Sequence, residues 1–526
     1  MIAAGKGYVR TVVLRTPELG NNTADVERLK AALYDALKTR YVRIPTALIR
    51  SLPRDLRQWH HKVTCVVFRI PGLPGWELVD ILAPLGRCRV LGVAVDIGTT
   101  RVVVRLLDLE RGEALKETGF DNPQSVIGPD VLTRIHYAKT PGGLDRLQSL
   151  IIQGLNACIG DLCRDADVDS AQVYLVVGAG NTAMTHLFLG IDPEFMIREP
   201  YIPAVNGPET LDASELKILI HPRGRVFLLP NIGSYFGGDL IAGILFAGLH
   251  RRDEYAIMVD VGTNAEVVVG NRDWLIACAG AAGPALEGGV SAIGMTAGPG
   301  VIDRVSIDPR TLAMDFHTIG DLPPVGICGS GMIDLAAQLF LSGMLDIRGK
   351  FSLQRCASRL ARVQGIDCLT LVDRTGSGTG QDIVLTQVDM NSLTSAKAAM
   401  YSILEVIVQR TAGLSFEDLS RFYVAGTFGS FINPRSAIAI GMLPDIALET
   451  FEVIGNSSLE GASMLLLNPD AMDEIESIRS SITYLELNVN AEFMTLFSGA
   501  KFYPHTDRSR FPSVPVYDSG SGSSAG

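Results

Sequence analysis

Apolar positions along this chain change their period several times, and each change marks a boundary. YVRTVVL, from residue 8, alternates as a strand does, and TADVERLKAALYDALK then sets Val26, Leu29, Leu33 and Leu37 three or four residues apart. That spacing predicts a helix, with Thr23 placed to cap it. KVTCVVF and WELVDIL return to strand character before Pro71, Pro74 and Pro84 interrupt the pattern. Residues 1–87 are expected to form a small α/β domain.

From Arg89 the pattern shortens. RVLGVAVD, a GTT turn, RVVVRLLDL, an ERGE turn and EALKETGF predict three strands in a meander. The same order returns as DEYAIMVD, GTN, AEVVVG, NRD and WLIACAG. Asp96 and Asp260, which open the two turns, lie 164 residues apart, a spacing that fits a duplicated α/β subdomain and is too long for a solenoid repeat. The expected organisation is subdomain I at 88–250, subdomain II at 251–450, a segment at 451–515 returning to subdomain I, and a disordered low-complexity tail at 516–526.

Composition narrows the class. The 526 residues are too many for one core, and 47% are apolar without any uninterrupted run near the roughly 18 needed to span a bilayer. MIAAGKGYVRTVV carries no signal-peptide pattern, so a cytoplasmic chain that avoids membranes is expected. The net charge of −11 divides unevenly: residues 1–87 hold 14 Lys and Arg against 7 Asp and Glu, leaving −18 for the remainder. Without interleaved aromatics this basic segment reads as a surface for an acidic protein, not for nucleic acid. The eight cysteines, Cys65, Cys88, Cys158, Cys163, Cys278, Cys328, Cys356 and Cys368, contain no CxxC, and Cys158 with Cys163 cannot alone hold a cluster.

DIGTT and DVGTN carry the chemistry. In each an apolar strand ends in Asp, then Gly and hydroxyl or amide residues. Gly98 and Gly262 allow close backbone approach, and Thr99, Thr100, Thr263 and Asn264 supply donors for phosphate oxygens. Asp96 and Asp260 are suited either to hold a hydrated Mg²⁺ or to orient an attacking water. Asp239, near a helix start in GGDLIAGIL, reads either as a water-positioning acid or as a plain N-terminal carboxylate. Gly329, Ser330 and Gly331 of GICGSGMID form a Gly-rich loop entering a helix, suited to an anion. Gly426, Thr427 and Gly429 of AGTFG would let a base or ribose lie against backbone. Lys397 reads either as a nucleotide contact or as a solvated surface lysine. No histidine has metal-ligand spacing.

DIGTT, a small-residue helix, DVGTN, AGTFG and a second small-residue helix resemble the ATPase core shared by actin, sugar kinases and acyl-CoA dehydratase activators. VLGVAVDIGTT, NPQSVIGPDVLTRI, GNTAMTHLFLG, GGDLIAGIL, VDVGTNAEVVVG, GICGSGMIDL, AGTFGSFINP and PHTDRSRFPSV more specifically resemble the reductive activators of corrinoid proteins, from about Val9 to Val514. The resemblance implies an α/β fold of duplicated actin-like, ribonuclease H-like ATPase subdomains, with 1–87 as the family's middle domain. It also implies ATP and Mg²⁺ as ligands, and ATP-driven reduction of cob(II)alamin to cob(I)alamin on the corrinoid protein of a methyltransferase system. A ferredoxin-like electron donor and a homodimer complete the expected partners. The family's amino-terminal two-iron ferredoxin domain, and the carboxy-terminal cluster domain of its other branch, have no counterpart in these 526 residues. A longer parent chain is expected in preference to a separate protein bearing the cluster. A small-molecule, sugar-type kinase and a non-catalytic or filament-forming actin-like nucleotide-binding protein are the competing functions.

Protein purified anaerobically is expected to be colourless and iron-free by metal analysis. Stoichiometric iron that disappears on replacing Cys158 and Cys163 would contradict the reading of the cysteines.

Overall fold

The computed structural model describes residues 7–70, 72, 75–84, 89–262, 265–280, 291, 293–426, 432–487 and 491–515. The chain divides into two compact units, one of Met1–Phe246 with Ser457–Ser481, the other of Ala247–Asn456 with Ile482–Gly526.

The first unit contains two sheets. β1 (Val9–Val13), β2 (Val42–Arg43), β3 (Lys62–Arg69) and β4 (Trp76–Leu82) pair in the order β1-β3-β4-β2. The helix Asp25–Leu37 covers this sheet through Leu29 and Leu33, both buried. Thr23 does not cap that helix: Ala24 is the N-cap, and the Thr23 carbonyl accepts from Arg28 Nε at 3.1 Å. The second sheet holds β5 (Leu91–Ile97), β6 (Arg101–Asp108), β7 (Glu113–Asp121), β8 (Val173–Gly180), β9 (Leu211–Asp212) and β10 (Arg225–Leu228), ordered β7-β6-β5-β8-β10-β9. β5, β6 and β7 form the antiparallel meander, whereas β5, β8 and β10 run parallel. β5 and β8 are near-continuous apolar runs because they are buried on both faces.

The two sheets of this unit meet through buried ion pairs. Asp80 of β4 accepts from Arg223 and, at 3.2 Å, from the Tyr174 hydroxyl, with His221 Nε2 3.3 Å away. Glu77 pairs with Arg225 at 2.6 Å. Phe68 and Phe227 pack beside them, ring centres 6.4 Å apart. Although residues 1–87 carry an excess of positive charge, it is their carboxylates that make this junction.

The second unit repeats the plan. β11 (Ala256–Val261), β12 (Ala265–Gly270) and β13 (Leu275–Gly280) form the second meander. Two small sheets follow: β14 (Val301–Ile307), β15 (Met314–Thr318) and β16 (Gly326–Ile327), then β17 (Leu360–Val363), β18 (Ile366–Val372) and β19 (Ile383–Thr386). β20 (Arg421–Ala425), β21 (Phe451–Gly455) and β22 (Ile482–Leu485) complete the main sheet in the order β21-β20-β11-β12-β13-β22, β20 lying parallel to β11 as β8 does to β5.

The segment 451–515 is divided between the units. Only Ser457–Ser481 packs in the first, its helix Ser457–Leu467 lying on β5 and β8. β21 precedes it in the second unit, and β22 with the helix Ala491–Ala500 and the chain to 515 follows there. The reason is packing: Gly461 sits so close to Ala242 that a Cβ would overlap its carbonyl, while β22 pairs with β13 and the later tail packs on the helix Gln387–Glu405.

Lys397, in that last helix, is fully buried and so is neither a surface lysine nor exposed to a ligand. Its Nζ donates to the carbonyl of Phe502 and, at 2.8 Å, to that of Pro504. Burial pushes its pKa well below the usual lysine range. About two turns on, the buried Glu405 pairs with Arg510 at 2.8 Å, so the PHTDRSRFPSV stretch is held at its first residue, Pro504, and again at Arg510.

Lys397→Met is expected to lower stability by about 2–3 kcal/mol, because two buried carbonyls lose their donors. The folded lysine binds its proton less readily than the unfolded one. Wild-type stability relative to the variant should therefore grow as pH rises from the depressed folded value towards the ordinary 10.5. Denaturant titrations at pH 7 and 9.5 check both the size and the sign.

Candidate nucleotide site

Asp96 is the penultimate residue of β5, and the parallel neighbour β8 sets Ala179 beside it and Gly180 beside Ile97. Asp260 holds the equivalent place in β11, with Ala425 of β20 beside it. Both carboxylates are half-buried where a central strand leaves its sheet. Small neighbours are required there.

In the first unit the turn after Asp96 is tied down residue by residue. The Asn122 side chain donates to the Gly98 carbonyl at 2.9 Å, and the Asn122 backbone N–H donates to that of Thr100 at 2.7 Å. Asn181 donates to Thr99 Oγ1 at 3.0 Å and caps its own helix, Thr182–Leu189, by accepting from Met184 N at 2.9 Å. Ser458, buried at the start of the helix Ser457–Leu467, donates to Asp96 Oδ1 at 3.0 Å. Asp239 belongs to the same neighbourhood: a Cβ on Gly237 would meet the Asp239 carboxylate, the Gly180 carbonyl and the Asn181 Cα. Asp239 Oδ1 lies 2.9 Å from the backbone nitrogen of Leu240 in the first turn of Gly238–Ala247.

Asp96, Gly98, Thr99, Thr100 and Asp239 thus come together. Sequence reasoning assigned no role to Asn122, Asn181 or Ser458. Asn181 and Ser458 stand at the starts of the two small-residue helices, in GNTAMTHLFLG and at residues 457–467; a polar residue opening each helix was the available signal.

In the second unit Gly426 follows β20 with φ +87°, and a Cβ there would stand 2.7 Å from Asp260 Oδ1 and 3.0 Å from the Val261 carbonyl. Gly262 directly follows β11. Gly329, Ser330 and Gly331 are buried at the start of the helix Gly329–Leu341. Cys328 N donates to the Ile302 carbonyl at 3.0 Å, and Asp334, also buried, accepts from Val305 N at 3.0 Å and from the Ser436 hydroxyl. These bonds fasten that loop to β14 and the helix Pro434–Ala439. Lys397 lies apart, under the tail. Thr263, Asn264, Thr427 and Gly429 lie outside the described residues.

The seven described cysteines are buried. Burial pushes the thiols of Cys65 up to about 12 and of Cys158, Cys163 and Cys356 up to about 11, so these four are protonated near neutrality. Among the described residues no group of three or more His, Cys, Asp or Glu could hold a metal, and no helix is long and apolar enough to cross a membrane.

Three family descriptions tile the chain: the RACo linker region at 8–84, the RACo middle region at 91–252, and the C-terminal domain of RACo, the ASKHA domain, at 254–515. Corrinoid activation enzyme RamQ of Eubacterium limosum is 32% identical over 416 residues, 78% of this chain and 69% of that protein. A solved reductive activator for corrinoid, iron–sulfur protein is 39% identical with a TM-score of 0.86, covering 97% of this chain and 81% of that one. This chain belongs to the reductive activators of corrinoid proteins. A further relative of this activator, the [Co(II) methylated amine-specific corrinoid protein] reductase of Methanosarcina barkeri, is 26% identical over 426 residues, 74% of this chain and 73% of that one. The linker region of the activator falls on the segment for which the resemblance suggested the name middle domain, and the middle region follows it. An ASKHA domain is a nucleotide-binding fold that works with a divalent metal, and the duplicated α/β fold implied by the resemblance is the one observed.

Gly426→Ala is expected to cost about 1–2 kcal/mol for the left-handed backbone and to displace the Asp260 carboxylate, weakening Mg²⁺-dependent ATP binding. Gly413→Ala, at φ +68° with open space around it, should carry a similar stability cost and leave ATP binding intact. Thermal melts and calorimetric titration of the two variants check the difference.

Proposed function

We propose that this activator uses ATP binding and hydrolysis to drive reduction of cob(II)alamin to cob(I)alamin on the corrinoid protein of a methyltransferase system. The observation that carries this reading is the repeated placement of Asp96 and Asp260 at the ends of equivalent central strands, in a chain that matches RACo from linker to ASKHA domain. Thr99, Thr100 and the backbone around Gly98 are the donors for phosphate, and Gly426 leaves room beside Asp260. On this reading Asp96 and Asp260 are the carboxylates that would hold Mg²⁺ through water, and Asp239 would orient a water molecule. When bound, Mg²⁺ offsets the charge of the phosphates. Electrons come from an iron–sulfur cluster through a ferredoxin-like donor, and the chain acts in the cytoplasm as a homodimer. The sugar-kinase alternative is not favoured, because the relatives most similar over the chain are corrinoid activators and reductases.

On this reading ATP is needed because reducing cob(II) to cob(I) is the uphill step, so a physiological donor alone yields little cob(I). A nucleotide cycle shifts that equilibrium only if its states differ in affinity for the two cobalt states. Each 1.4 kcal/mol of difference changes the equilibrium about tenfold. The activator is therefore expected to bind the cob(II) partner more tightly than the cob(I) partner, with ATP turnover releasing the reduced product.

Asp260→Ala should abolish ATP hydrolysis while keeping the wild-type circular-dichroism spectrum. In the wild type, the cob(II) partner should change the ATPase rate more than the cob(I) partner does. Equal rates with no partner, cob(II) partner and cob(I) partner would sink the coupling.

A further inference from the structure

NPQSVIGPDVLTRI is long and distinctive, yet the functional reading above uses only its first residue. Its last charged residue is unusual. Arg134, in the helix Val131–Ala138, is fully buried and forms no ion pair among the described residues. Its guanidinium donates to the carbonyls of Gly128 at 2.8 Å and Thr99 at 2.7 Å, and Nη1 lies 3.3 Å from Gln124 Oε1 and 3.4 Å from Met184 Sδ. Gln124 is itself held by donating to the Leu147 carbonyl at 3.0 Å. The Asp130 carboxylate, which caps the helix through Thr133, is the nearby charge that favours the guanidinium. Burial lowers the arginine's pKa to about 10, so it remains a cation at neutral pH.

A buried cation without an ion-pair partner is costly unless something compensates it. The carbonyl of Thr99 lies inside DIGTT. With the two bonds from Asn122, all three carbonyls of Gly98, Thr99 and Thr100 are drawn into the protein. In a trans peptide the carbonyl of one residue and the N–H of the next point in opposite directions. Holding the Gly98 and Thr99 carbonyls inward therefore turns the N–H groups of Thr99 and Thr100 outward, and leaves a positive charge directly behind them.

We propose that Arg134 is a positioning residue of this loop: through the Thr99 carbonyl it aims the loop's amides at nucleotide phosphate, and the incoming anion compensates its buried charge. The proposal rests on the reading of residues 96–100 as a phosphate loop. It makes NPQSVIGPDVLTRI the rear wall of that loop, with Asn122 and Arg134 at its two ends, and it gives the buried guanidinium a role in selecting for phosphate over the uncharged part of the nucleotide.

The test is calorimetric titration of wild type and Arg134→Gln with MgATP, MgADP and adenosine, beside hydrogen exchange of residues 96–101 in the wild type. The variant is expected to bind ATP and ADP at least tenfold more weakly and adenosine unchanged. In the wild type, ATP and ADP should protect the loop amides and adenosine should not. Wild-type ATP affinity in a folded variant, or equal weakening of all three ligands, would overturn the role of Arg134 while leaving the ATP reading in place. If the variant does not fold, the exchange experiment decides: loop protection by ATP but not adenosine supports the proposal, and no protection overturns it. Wild type that binds none of the three would overturn the ATP reading and this proposal with it.

Discussion

A carboxylate at the end of a buried central strand needs space that an ordinary neighbouring residue would fill, and both units are arranged around that need. Asp96 and Asp260 occupy the same place in equivalent sheets, each beside an alanine of a parallel strand that then leaves the sheet through glycine. At Gly426 the constraint is sharpest, because a Cβ would contact the Asp260 carboxylate itself. The helices that follow must approach closely too, which is why Gly461 stands against Ala242 with no room for a side chain. Small residues in this activator mark where backbone closes on backbone so that a charged group can face outward.

Those strand ends are useful only if their turns hold one shape. In the first unit the shape comes from outside the turn: Asn122, Arg134, Asn181 and Ser458 reach in from four separate elements. Asn122, Arg134 and Ser458 are themselves buried, so these bonds also occupy polar groups taken out of water. The loop thus holds one geometry before any ligand arrives, which is the condition under which backbone donors are most effective.

Elsewhere buried ionisable groups serve attachment. The linker sheet is held to its unit by Glu77 and Asp80, each facing arginine, and the tail of the second unit by Lys397, Glu405 and Arg510. Breaking one member of such a pair is costly because its partner stays buried. These contacts therefore fix where a segment docks more than they raise overall stability, and they explain why segments far apart in sequence join particular units.

The alternation of apolar positions determined both meanders, the linker strands and the duplication, since side-chain period and strand pairing are local properties. It placed Asp96 and Asp260 at strand ends, whereas turn composition singled out Gly426 for a base or ribose and gave no sign that it lies against the Asp260 carboxylate. Tertiary structure decided the rest. Thr23 has a cap residue's chemistry yet loses the position to Ala24, whose carbonyl takes the helix's first backbone bond, from Arg28 N. Lys397 sits in a helix whose sequence does not tell inside from outside, and only the returning tail buries it. The division of 451–515 depends on which neighbour each piece packs against, Ala242 for the helix at 457 and β13 for the strand at 482. Arg134 lies 35 residues from Thr99, and nothing local in a helix marks one arginine as the residue whose guanidinium will hold a distant carbonyl. Period and turn chemistry act over a few residues, whereas a buried polar bond is fixed only when the whole unit closes around it.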